Sequence, residues 1–178
     1  MRSEPIETEQ VGDYTVKVYY DDYGTSEVFD CDMPNTWGID LSNHRDYKSP
    51  TYGEDFPMSL HTFARLSSEN GGEPVSVDDD DYDEDCEDYN IVLRDYVVLP
   101  VYMYDHSGRT VRTSPFSCRW DSGCAGLVYM SKAEAAKEGI TDIEEWLTST
   151  VKELDYHMTG QVYGFIVEDE DGEELDSC

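Results

Sequence analysis

His106, Cys118, Asp121 and Cys124 lie close together in the chain and are residue types that hold transition metals or carry acid–base and nucleophilic chemistry. Structural zinc sites use closely spaced Cys or His pairs, with a second pair to complete a tetrahedron. Here the two thiols are spaced C-x5-C and no second pair follows. The stretch therefore reads as a turn histidine and two small, half-buried thiols rather than a metal centre. Ser107, Ser117 or Cys118 could act as a nucleophile beside His106, with Asp105 or Asp121 orienting the imidazole. No strained nucleophile-elbow pattern is present, and turn chemistry explains both "YDHSGRT" and "WDSG". An enzyme built around Asp105, His106 and Asp121 is thus an alternative, not the leading expectation. No catalytic residue, metal or cofactor is expected.

Two other chemistries fail on pattern. The run "DDDDYDEDCED" (78–88) offers many oxygen ligands, but a calcium loop of the EF-hand type needs Gly at its sixth position, and counting from Asp78 that position is Asp83. Neither the Gly pair at 71–72 nor "GCAG" at 123–126 matches a phosphate-cradling loop. The dominant property is charge. Forty-one Asp and Glu face twelve Lys and Arg, a formal net charge of −29. Such a chain repels nucleic-acid phosphates and anionic membranes, and its natural partners are strongly basic surfaces or multivalent cations. The charge is segregated: the run 78–88 holds nine carboxylates and residues 134–178 are acidic, whereas residues 89–133 carry a small excess of bases.

The elements that must position these groups read as follows. "YTVKVYYDD" (14–22) alternates as a strand. Residues 31–57 hold Pro34, Gly38, Pro50, Gly53 and Pro57 and read as loop. "MSLHTFARLS" (58–67) permits a short helix. Residues 68–89 are expected to form a flexible acidic loop. "YNIVLRDYVVLPVYMYDHSG" is expected to supply one or two central strands, with "VYMY" and "TVRTSPF" forming a hairpin and "AGLVYMS" (125–131) another strand. Ser131 to Glu134 and Thr141 to Glu144 both match the capping-box pattern. They predict a short helix ending at Gly139 and a longer one ending at Gly160, with Ile143, Trp146, Leu147, Val151 and Leu154 on its apolar face. "QVYGFIVED" (161–169) is a last strand and 170–178 an acidic tail. The expected fold is one α+β domain over 1–178: a mostly antiparallel sheet with two or three helices on one face and a long acidic loop. The five cysteines are odd in number and irregularly spaced, as expected of reduced thiols. No apolar run reaches membrane-spanning length and the N-terminus lacks a signal-peptide core, so an intracellular, soluble protein is expected.

"YDHSG", "WDSG" and "TGQVYGFIVE", within 99–139 and 154–178, resemble a family of small proteins encoded by phages, plasmids and other mobile elements; "NTWGIDLSNHR" (35–45) is a weaker match. The resemblance covers about half the chain. That family's pattern has Pro before the Trp, where this chain has Arg119, and does not have a Cys at the position of Cys124. The family implies no activity and hence no catalytic residue. It implies a mobile-element origin and the cytoplasm of an infected or plasmid-bearing host cell. Such elements carry proteins that blunt host defences, and acidic DNA mimics are one recurring form; that step is analogy.

The expected function is a non-enzymatic acidic inhibitor that blocks the nucleic-acid channel of a host defence complex, a CRISPR effector first and a restriction enzyme second. The partner is a basic nucleic-acid-binding protein, with no direct nucleic acid and no membrane. The expected binding surface comprises Asp78, Asp79, Asp80, Asp81, Asp83, Glu84 and Asp85 in the run. It continues with Glu134 and Glu138 on the first of the two capped helices, and Asp142, Glu145, Glu153 and Asp155 on the second. Glu168, Asp169, Glu170, Asp171, Glu173 and Glu174 complete it at the C-terminus. The C-terminal acids are the better candidates for an ordered face, and the run would steer encounter. The competing reading is a salt-adapted house-keeping or structural protein, for which a chain with only five Lys also fits.

Overall fold

The computed structural model describes residues 4–20 and 37–177. Among them the chain runs β1 (Glu7–Val11), β2 (Tyr14–Tyr20), β3 (Trp37–Asp40), β4 (Tyr52–Gly53), α1 (Leu60–Glu69) and α2 (Glu84–Asp95). It continues with β5 (Tyr96–Asp105), β6 (Arg109–Arg112), β7 (Ser122–Ser131), α3 (Lys132–Lys137), α4 (Ile143–Met158), β8 (Tyr163–Glu168) and β9 (Glu174–Ser177). The fold is α+β with antiparallel sheets, as the sequence predicts. A four-stranded sheet has the order β1-β2-β8-β9 and a five-stranded sheet the order β4-β3-β7-β5-β6. Cys31 and Cys178, and the start of the weaker family motif, lie outside the described residues.

The five-stranded sheet organises the core. β7 runs between β3 and β5, and its side chains are buried on both faces. Val128 and Met130 point to a cluster with Ile39, Val101 and Met103, closed by Leu147, Val151 and Leu154 of α4 and Ala135 of α3. Leu127 and Tyr129 point the other way, to a cluster closed by Phe63 and Leu66 of α1 and Tyr89 and Val92 of α2. The helices therefore cover both faces of this sheet rather than the single face expected. The reason is in β7: alternate positions are all apolar, so neither face can be left in water. Each fully buried aliphatic side chain contributes on the order of 1.5–3 kcal/mol. Gly126 allows a close backbone approach between β7 and β3, since a Cβ there would stand 1.6 Å from the Asp40 carbonyl oxygen.

α4 matches its prediction, with Leu147, Val151 and Leu154 buried and Ile143 and Trp146 packed at the edge. Its cap is one residue later than the pattern suggests: the Asp142 carboxylate, not Thr141, accepts the Glu145 N–H at 2.9 Å. Ser131 stands at the cap of α3 but makes no side-chain capping bond. α1 forms where expected, capped by Ser59. The predicted hairpin forms between β5 and β6.

Four expectations are corrected. The run 78–90 is not all loop, because α2 starts inside it. Asp83 caps this helix by accepting the Cys86 N–H at 3.0 Å, and the acids of the first turn (Glu84, Asp85, Glu87) suit the positive end of the helix dipole. The preceding segment is fastened as well, for Asn90 exchanges two hydrogen bonds with the Val75 backbone. "NIVLRD", expected as strand, is the second half of α2, and the central strand begins at Tyr96. β3 lies in a stretch expected as loop; all four of its residues are buried, so it shows no alternation. The acidic tail includes β9, paired with β8.

Candidate functional site

The structure sorts the nineteen expected acids into two kinds. Several make hydrogen bonds or ion pairs within the fold, although Asp79, Asp83, Asp85 and Asp142 stay exposed. Asp83 and Asp142 cap helices. Backbone bonding from Cys86 holds the Asp83 carboxyl below its ordinary range. Asp79 accepts the Asp81 N–H, and Asp169 accepts the Asp171 and Glu173 N–H groups in the turn between β8 and β9. Glu168 binds Lys17 across the β2–β8 pair at 2.6 Å, and the hydrogen bond raises the lysine pKa. Glu134 meets Lys137 at 2.7 Å. Asp85 lies 3.8 Å from Arg65.

Asp155 is a correction. It was expected to face away from the apolar side of α4. Its Oδ1 instead accepts the Thr110 hydroxyl at 2.6 Å and the Val111 N–H at 2.8 Å, which fastens α4 to β6. Asp78, Asp80, Asp81, Glu84, Glu138, Glu145, Glu153, Glu170, Asp171, Glu173 and Glu174 are exposed. They do not form one face. α2 packs on one side of the five-stranded sheet and α4 on the other, so the acids of the run and those of α4 are separated by the sheet. Glu145 and Glu153 lie two helical turns apart on α4, and Glu170, Asp171 and Glu173 cluster at the β8–β9 turn.

The second constellation is where β5 ends and β7 begins. The Asp105 N–H donates to the Asp121 carbonyl at 2.8 Å, which brings Asp105, His106 and Asp121 together. His106 Nδ1 is 3.6 Å from Asp121 Oδ1 and the Cys118 thiol is 3.6 Å from Asp121 Oδ2. His44, which the sequence reading did not single out, comes from the β3–β4 connection. The backbone bond from Asn43 to Ala125 (3.1 Å) holds that connection against β7. No local signal links His44 to Asp105, because they meet only through strand pairing. His44 Nε2 lies 3.2 Å from Asp105 Oδ2, and its Nδ1 accepts the Asp46 N–H at 3.4 Å. This assigns the Nε2-protonated tautomer, donating to Asp105. Arg109 braces the same cluster through Asp46 and Asp105 and lies over the Tyr47 ring.

His44, Asp105 and Asp121 border a depression of about 400 Å³ that Trp120 and Cys124 also line. Both nitrogens of His44 have partners within the fold, Nε2 at Asp105 and Nδ1 at the Asp46 N–H. The Cys124 sulfur points to the Gly126 carbonyl at 3.4 Å, and partial desolvation pushes its pKa up, away from a reactive thiolate. No group of three or more His, Cys, Asp or Glu among the described residues is arranged to hold a metal ion. No helix among them is long and apolar enough to cross a membrane. In comparisons with protein-family models, curated proteins and solved structures, nothing matches this chain.

Proposed function

We propose that the protein is a non-enzymatic acidic inhibitor that occupies the nucleic-acid channel of a host defence complex, a CRISPR effector first and a restriction enzyme second. The observation that carries the reading is the set of exposed carboxylates of a −29 chain on a helix and a hydrogen-bonded turn: Glu145 and Glu153 along α4, and Glu170, Asp171 and Glu173 on the β8–β9 turn. Eight residues of α-helix rise about 12 Å, comparable to a few base-pair steps of a duplex carrying one phosphate charge per ~3.4 Å of each strand. Carboxylates held this way can pair with the lysines and arginines that otherwise grip phosphates. The resemblance of the "YDHSG", "WDSG" and "TGQVYGFIVE" segments to mobile-element proteins supports the same setting.

The exposed acids 78–81 raise the local field and speed encounter. Deleting the whole run is not a clean test of that role, since Asp83 caps α2 and Cys86 is buried. The deciding experiment adds the purified protein to isolated CRISPR effectors and restriction enzymes and measures target-DNA binding by electrophoretic mobility at low salt. Loss of DNA binding that is restored as salt rises is the expected result. Undiminished DNA binding across these systems overturns the reading.

A further inference from the structure

Trp120 is 95 % exposed. The chain's other tryptophans, Trp37 and Trp146, pack edge to face in the core with ring centroids 5.9 Å apart. Leaving a whole indole in water forgoes a large apolar burial, and in proteins such a residue is typical of a binding anchor. Trp120 is moreover part of a concave wall, with His44, Asp105, Asp121 and Met103 around the same depression.

The charges there select the guest. The carboxylate of Asp105 is shared between His44 and Arg109. Asp121, next to Trp120 in the chain, makes among the described residues two long side-chain contacts, to His106 and Cys118, each at 3.6 Å. An indole face beside an under-satisfied carboxylate attracts a cation, and Trp is the best of the aromatic rings for this. Arg45 borders the depression and Arg119 precedes Trp120, but both are exposed and solvent screens them. The field of the whole molecule also opposes an anion and favours a cation.

We propose that this depression is a receptor for one cationic side chain, an arginine or lysine presented by a partner protein, stacked on Trp120 and neutralised by Asp121. The proposal rests on the reading of the protein as a partner of basic surfaces, and it supplies that surface with a specific anchor away from the acids of α4 and the β8–β9 turn.

The test needs no defence complex. Three tryptophans give three indole N–H signals in a two-dimensional NMR spectrum, and Trp120→Phe identifies that of Trp120. On titration with blocked arginine amide, the Trp120 signal is expected to shift saturably while those of Trp37 and Trp146 stay in place. In calorimetry with hexa-arginine, Trp120→Ala is expected to weaken binding by roughly two- to thirty-fold, the range such a contact spans. That substitution changes no charge, so association driven by charge alone would be unaffected. Equal affinity of Trp120→Ala and the parent, or a Trp120 shift produced by adenosine monophosphate and not by arginine amide, overturns the proposal. If arginine amide fails while DNA binding by a defence complex is still blocked, channel mimicry stands without this anchor. If the Trp120 shift occurs but no complex is blocked, the receptor stands and the channel reading falls.

Discussion

Tyr89 is fully buried beneath α1, and among the described residues its hydroxyl has no hydrogen-bond partner. An unsatisfied buried hydroxyl typically costs about 1–3 kcal/mol, so Tyr89→Phe is expected to leave the melting temperature unchanged or raise it. A clear drop in a thermal melt would mean the hydroxyl is bonded. Asp155 is the opposite case. Asp155→Ala removes the acceptor for the Thr110 hydroxyl and the Val111 N–H, leaving a part-buried amide unpaired. The expected loss is about 1–3 kcal/mol, seen as a lower denaturation midpoint in urea. A variant with unchanged stability and weakened partner binding would return Asp155 to the acidic surface.

At the scale of elements, α2 shows how charge can hide structure. Its apolar positions Cys86, Tyr89 and Val92 recur every three residues, and Asp83 with three first-turn acids is a helix start, yet the density of carboxylates reads as solvated loop. The Asp83 carboxyl is held below its usual 3.8 by the bond from Cys86. A carboxyl with a depressed folded pKa contributes stability that is fully present above the unfolded value and is lost as pH falls through the folded one. The melting-temperature gap between the parent and Asp83→Ala is therefore expected to be constant above about pH 5 and to narrow as pH falls below 3.8; a gap that does not narrow with falling pH would refute this role. The amphipathic α1 and α4 and the hairpin of β5 and β6 were legible because their patterns are local. β3 was not, because burial on both faces removes alternation, and Pro34 and Gly38 around it suggest a loop. The candidate site was legible only in part. Asp105, His106 and Asp121 stand out by proximity, whereas His44 joins them across a sheet, and no sequence pattern distinguishes the exposed Trp120 from the buried Trp37.

At the scale of the molecule, −29 charges on 178 residues repel one another in the folded state. Added salt shortens the reach of that repulsion, so the melting temperature is expected to rise between 10 mM and 150 mM salt. A protein adapted to high salt loses its fold at the low end, whereas an inhibitor from an ordinary host keeps it; calorimetry at 10 mM salt separates the two. The acids lie on both sides of the five-stranded sheet, so the charge envelops the core rather than forming one strip. β7 lies at the centre of that core, hydrogen-bonded to β3 on one edge and β5 on the other, with helices over each face. Its amide protons at Val128–Met130 can meet solvent only when the whole domain opens. In deuterium oxide they are expected to exchange last, at the rate of global unfolding, while the edge strands β1 and β9 exchange through local fraying. That contrast would give a direct readout of how much of the acidic envelope a bound partner clamps shut.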